Sequence, residues 1–121
     1  MKTLQFRLLV IRTTEIEHVV GFYQSMGLNF IEHRHGTGPM HFATKLGGLV
    51  FEIYPTKKPE NVDRMTRLGF ALPDLPSIVD RLRSHAIPII EEPKPTDWGL
   101  RAIVHDPDGR VLELYALEST E

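Results

Sequence analysis

An α+β fold of two tandem βαβββ modules, curved into a mixed-sheet cleft, is what this 121-residue sequence predicts, and three observations carry that prediction. First, Ile16, Val19, Val20, Tyr23, Leu28, Phe30 and Glu32 are matched 59 positions later by Leu75, Ile78, Val79, Leu82, Ile87, Ile89 and Glu91, the mark of an internal repeat. Second, "LGGLVFEIY" (46–54) returns as "PDGRVLELY" (107–115) at an offset of 61, so Glu52 corresponds to Glu113 and Tyr54 to Tyr115. Third, each copy places one helical period among alternating runs bounded by turn formers.

Residues 4–11 alternate as a strand. Thr14 and Glu17 then have the spacing of a capping box, which offers acceptors to the free amides of a helix start. That helix runs to about Met26, where Gly27 supplies a left-handed exit. Strands over 28–35, 39–46 and 49–55 follow, separated by "GTGP" and "LGG". "PTKKPEN" (55–61) reads as polar linker. The chain is therefore one domain, 1–121, with module one at 1–57, module two at 64–121 and a linker at about 55–63. Module two repeats the order: a strand at 66–72, Asp74 capping a helix to about His85, and strands near 87–93, 100–105 and 110–116. Asp106-Pro107-Asp108-Gly109 reads as the turn of the last hairpin.

Bulk properties exclude several classes. Fourteen basic against 16 acidic residues leave a net charge of −2 with no basic cluster, so nucleic acid is not an expected partner. Without cysteine there are no disulfides, thiolate metal sites or thiol nucleophiles, which fits a reducing, cytoplasmic location. Arg7 and Arg12 interrupt the N-terminal apolar run and no small-residue cleavage site follows, so this segment reads as a first strand. No window approaches the ~20 apolar residues of a membrane helix, and no membrane partner is expected.

One helix covers only one face of a four-stranded sheet. Leu49, Phe51 and Ile53, with Leu112 and Leu114, take the helix side by alternation. Val50, Glu52 and Tyr54, with Val111, Glu113 and Tyr115, take the open side. Open faces turned inward would enclose a cleft, with Phe6, Leu8, Val10, Leu68 and Phe70 making the rest of it apolar. Two carboxylates in such a cleft repel unless a cation, a proton or a hydrogen-bond donor lies between them.

The paired modules, the segment Phe22-Tyr23-Gln24-Ser25-Met26-Gly27-Leu28, the "WGLR" stretch (98–101) and "DPDGRVLEL" (106–114) together resemble the vicinal oxygen chelate superfamily. That group includes glyoxalase I, bleomycin resistance proteins, fosfomycin resistance enzymes and extradiol dioxygenases, and the resemblance covers nearly the whole chain. It implies the glyoxalase/bleomycin resistance-like fold. In metal-using members it implies a divalent ion held by His or Glu on the first strand of each module and Glu on the last. Glu52 and Glu113 match the last-strand positions. The first-strand positions fall at Leu8 and Leu68, and their neighbours Arg7, Leu9, Arg67 and Gly69 offer no imidazole or carboxylate either. A complete metal site and a cofactor are therefore not expected. A divalent metal would take Glu52 and Glu113, with one of the third-strand histidines His41 or His105.

Each candidate has an ordinary reading beside the functional one. The glutamates are metal ligands, anchors for an organic ligand, or partners of a nearby Arg or amide. His18 sits at an exposed helical phase, His85 complements a helix C-terminus, and His33 and His35 belong to a solvated edge. Trp98, Tyr54 and Tyr115 either stack a flat ligand or fill core, and Trp98 falls in a mobile loop after "EEPKPTD". Arg101 suits an anionic ligand or one of the two carboxylates. No Ser-His-Asp set, phosphate-cradling loop or nucleotide fingerprint is present.

The resemblance implies a bleomycin resistance-like module that sequesters a small aromatic or amphiphilic molecule without metal. Its binding set would be Leu8, Glu52, Tyr54, Leu68, Phe70, Trp98, Arg101, Glu113 and Tyr115, in a symmetric homodimer. The alternative is a divalent-metal-dependent glyoxalase-like lyase or isomerase, or a thiol transferase, with Glu52 and Glu113 as catalytic carboxylates. A third reading is a dimerising regulator with a vestigial cleft. Between enzyme and binder the sequence does not choose.

Overall fold

The computed structural model of the chain describes residues 2–117. The chain divides into two compact units, one comprising residues up to Gln24 with Leu28–Asp63, the other Ser25–Gly27 with Arg64 onward. In the first unit the order is β1 (Leu8–Thr13), α1 (Ile16–Ser25), β2 (Ile31–His33), β3 (His41–Leu46) and β4 (Leu49–Pro55), followed by a 3-10 turn at Pro59–Asn61. In the second it is β5 (Leu68–Leu72), α2 (Leu75–Ser84), β6 (Ile89–Thr96), β7 (Gly99–His105) and β8 (Val111–Ala116). The two sheets have the same strand order, β1-β4-β3-β2 and β5-β8-β7-β6. In each, the first and last strands pair in parallel and the other neighbours are antiparallel. This is the duplicated βαβββ unit read from the repeat.

The helix sides fill as alternation requires. In the first unit Phe51 and Ile53 are buried with Val19, Val20, Phe22 and Tyr23 of α1, and Tyr23 meets Phe51 edge to face at 5.2 Å. In the second, Leu112 and Leu114 are buried with Leu75, Ile78, Val79 and Leu82 of α2. Asp74 caps α2, its Oδ1 accepting from the Ser77 amide at 3.3 Å. At α1 the side-chain acceptor is Thr13 rather than Thr14: its Oγ1 takes the Glu15 amide at 2.9 Å.

Both helices end alike. Gly27 leaves α1 at φ 104°, and Ala86, its counterpart 59 positions later, leaves α2 at φ 61°. Leu28 N–H reaches the Tyr23 carbonyl at 3.3 Å, and Ile87 N–H reaches that of Leu82 at 3.0 Å, the six-to-one bond of a Schellman ending.

Strand ends differ from the sequence reading in physically intelligible ways. β2 is only three residues long because Gly36 and Gly38 draw the chain into a turn after it. β6 continues through "EEPKPT" to Thr96, past the end expected near residue 93, so the loop expected after "EEPKPTD" shrinks to a turn at Asp97 and Trp98. Its prolines are accommodated at a sheet edge, where a missing N–H costs no ladder bond, and register shifts follow Ile89 and Glu91. No helix among the described residues is long and apolar enough to cross a membrane.

Candidate functional site

The open face of the second unit gathers the polar groups. Glu113 stands on β8 with Arg67 one residue before β5, Arg101 on β7, Glu91 on β6 and Tyr115 two residues along its own strand. Arg67 Nε donates to Glu113 Oε2 at 2.6 Å, and the Tyr115 hydroxyl donates to Oε1 at 2.5 Å. Arg101 bridges two acids, its Nη2 donating to Glu91 Oε1 at 2.9 Å and its Nη1 reaching Glu113 Oε1 at 3.5 Å. Lys94 adds a second cation at 3.3 Å from Glu91. First the Tyr115 hydroxyl and then Arg67 hold the Glu113 carboxyl below the ordinary carboxylate range. In return Glu113 pushes the Tyr115 phenol up, because ionising it would set two negative oxygens against each other.

Above this network lies a hollow of about 330 Å³ lined by Thr96, Asp97, Trp98, Arg101, Glu113 and Tyr115. Trp98 is 77% exposed, yet the backbone beneath it is held. Thr96 Oγ1 donates to the Gly99 carbonyl at 2.6 Å and accepts the Trp98 amide at 3.2 Å, closing a tight β6–β7 turn. The indole and the Tyr115 ring stand 6.0 Å apart at 41°, forming one side of the hollow.

The first unit's open face is built otherwise. Glu52 on β4 lies beside Ala43 of β3 and Val10 of β1. Its Oε2 is 3.4 Å from Nε2 of His41, and the His41 ring stacks on Tyr54 at 4.1 Å and 6°. His33 pairs across the ladder with His41. That register draws His33 and His35, expected at a solvated edge, into ring contact with His41 at 5.9 and 5.1 Å.

Register corrects part of the expected lining. Leu8 pairs with Val50 and so shares the face of Glu52, as anticipated. Leu68 pairs with Leu112 and Phe70 with Leu114, which puts both on the helix side, and Leu68 is buried there. Gly69 and Ala71 are the residues beside Glu113 and Tyr115. Carrying the 59-residue offset into the first strand makes Arg67, not Leu68, the counterpart of Leu8, and a one-residue slip exchanges the two faces of a strand. Arg67 and Glu91 were thus the site residues missed. The offset could have found Arg67, and the Glu32–Glu91 match marked the other. His105 is exposed at the end of β7 and pairs with Val111, two residues before Glu113.

These positions do not fit the metal set of the metal-using relatives. Val10 and Gly69 are level with Glu52 and Glu113 on the first strands, and neither has a donor atom. Both carboxylate oxygens of Glu113 accept from side chains. Among the described residues no group of three or more His, Asp or Glu side chains stands arranged to hold an ion.

A duplicated βαβββ chain with a polar, aromatic-walled hollow on one open sheet face defines an α+β class of protein built on paired modules. The Glyoxalase/Bleomycin resistance protein/Dioxygenase superfamily matches residues 5–114, and this chain belongs to it. Similar solved structures include TnmS3, an antibiotic binding protein from Streptomyces sp. CB03234, with 21% identity, 98% of this chain and 99% of that one covered, and a TM-score of 0.74. The bleomycin resistance determinant encoded on transposon Tn5 has 20% identity, coverage of 96% and 100%, and a TM-score of 0.68. An integron cassette protein from the mobile metagenome of V. cholerae has 20% identity, 98% coverage of both chains and a TM-score of 0.72. A comparison with curated proteins found no match.

Proposed function

We propose that this protein binds a small aromatic or amphiphilic molecule in the hollow of its second unit and acts by holding it, as a cytoplasmic homodimer. The observation that carries the reading is a highly exposed indole fixed on a hydrogen-bonded turn above charged groups already neutralised by one another. An exposed aromatic on a rigid support offers stacking area at little ordering cost. Arg101 lines the hollow and sets a cation beside the indole. Binding here requires no metal, because Arg67, Arg101 and Tyr115 already serve the Glu113 charge. The same donors hold the Glu113 carboxyl below the ordinary range, which makes it a weaker general base.

Trp98 is the sole tryptophan, so its fluorescence reports this site alone. A titration with planar aromatic compounds, repeated in EDTA, should quench it with the same affinity under both conditions. Trp98→Ala should weaken the best ligand at least tenfold, roughly the 1.4 kcal/mol expected of an aromatic contact. A panel that leaves the emission untouched, or affinity retained in Trp98→Ala, rejects the reading.

A further inference from the structure

The turn between β6 and β7 carries a carboxylate that the fold does not use. Aspartate is common in turns because its side chain closes on a nearby backbone amide. Here Thr96 does that instead, its Oγ1 accepting the Trp98 amide at 3.2 Å and donating to the Gly99 carbonyl at 2.6 Å. Gly99, at φ 105°, takes the left-handed position of the turn. Asp97 is left exposed, with no hydrogen bond or ion pair among the described residues, and it lines the hollow next to Trp98. The other charges on that wall are met. Glu113 accepts from Arg67 at 2.6 Å, while Arg101 is held by Glu91 at 2.9 Å and reaches Glu113 at 3.5 Å. The unpaired charge is therefore negative, and it adjoins an indole whose ring face also attracts cations.

We propose that the ligand of this hollow is a cation: a planar aromatic molecule bearing a protonated or quaternary amine, stacked on Trp98 with its amine against Asp97. The inference rests on the hollow being the binding site and adds the charge that its ligand carries. A molecule covering the indole strips water from the carboxylate beside it, a cost that an ammonium group offsets and a neutral group does not. An anionic ligand would have to compete with Glu91 and Glu113 for Arg101, and it would face Asp97 as well.

The test titrates the full chain with three probes built on one ring: naphthyl-methyl-trimethylammonium, naphthyl-methanol and naphthyl-acetate. The indole N–H of Trp98, the sole tryptophan, reports binding in a proton–nitrogen correlation spectrum. The ammonium should bind about fivefold to twentyfold tighter than the alcohol, from one exposed ion pair and one cation–π contact, and the acetate should bind weakest. Asp97→Asn should cut the ammonium-to-alcohol ratio at least about twofold. Because Asp97 bonds to nothing, its loss does not threaten the fold. Asp80→Asn, the same change of net charge at an exposed position of α2, should leave the ratio as it was. Alcohol binding with no preference for the ammonium overturns the proposal and leaves the hollow as the site. So does an undiminished ratio in Asp97→Asn, or an acetate that binds tightest, which would make Arg101 the anchor. If no probe moves the Trp98 resonance, the hollow itself is rejected, and the charge of its ligand with it.

Discussion

Single residues show most directly what the duplication preserves and what it costs. Gly27 and Ala86 occupy equivalent left-handed helix exits. Glycine takes that conformation freely, whereas alanine pays about 1 kcal/mol for its Cβ. Ala86→Gly should therefore raise the unfolding free energy by about 0.5–1 kcal/mol and Gly27→Ala should lower it by about 1, as read by urea denaturation. Glu113 and Tyr115 yield a pH prediction. A depressed carboxyl contributes stability above its unfolded pKa, about 4.3, and that contribution is lost as pH falls through the folded value. A raised phenol contributes below about 10, and its share is lost as pH rises through the folded value. The pair should contribute fully from about pH 5 to 9. Tyr115→Phe should lower stability in that window, abolish the alkaline decline and move the acid limb upward. Identical pH profiles for the two proteins would show that the bond carries no such energy.

At the scale of elements, the β7–β8 connection does more than its turn signal implied. Asp106 Oδ1 accepts the amides of Asp108 and Arg110, each at 3.0 Å, which shapes the turn. The Arg110 side chain, 0% exposed, spans Asp106 and Asp108 at 3.0 Å each. Arg64 reaches Asp108 from outside at 3.6 Å. Arg110→Met removes the buried cation and leaves two carboxylates in low dielectric, so it should cost about 3–5 kcal/mol. Arg64→Ala, which removes a half-exposed partner, should cost under about 1. Equal losses in urea denaturation would mean that burial does not set the energy of this turn. "DPDGR" was legible as a turn because Pro and Gly restrict and free the backbone locally. The buried ion cluster was not, since a charged side chain's burial depends on what the folded chain brings over it.

For the whole molecule, the same division separates what could be read from what could not. The 59- and 61-residue offsets carried the order of elements along the chain, the helix sides of β4 and β8 and the correspondence of the two glutamates, because a repeat records each element twice. Partnerships across strands needed register: one residue separated Leu68 from the true lining position Arg67, and β2–β3 pairing brought His33 to His41. Register also bears on assembly. β1 is an edge strand of its sheet, and Leu4, Phe6 and Leu8 alternate along it and just before it at 96%, 66% and 51% exposure. An apolar edge of this kind is a template for pairing unless something covers it. A second copy of the chain is the covering that the proposed homodimer supplies. Light scattering should accordingly give twice the chain mass of 13.8 kDa. Phe6→Lys combined with Leu8→Glu should return the monomer while leaving the far-UV spectrum intact, because both side chains lie outside the buried core. A wild-type chain that scatters as a monomer at micromolar concentration would exclude that covering and leave the edge to be explained by another partner.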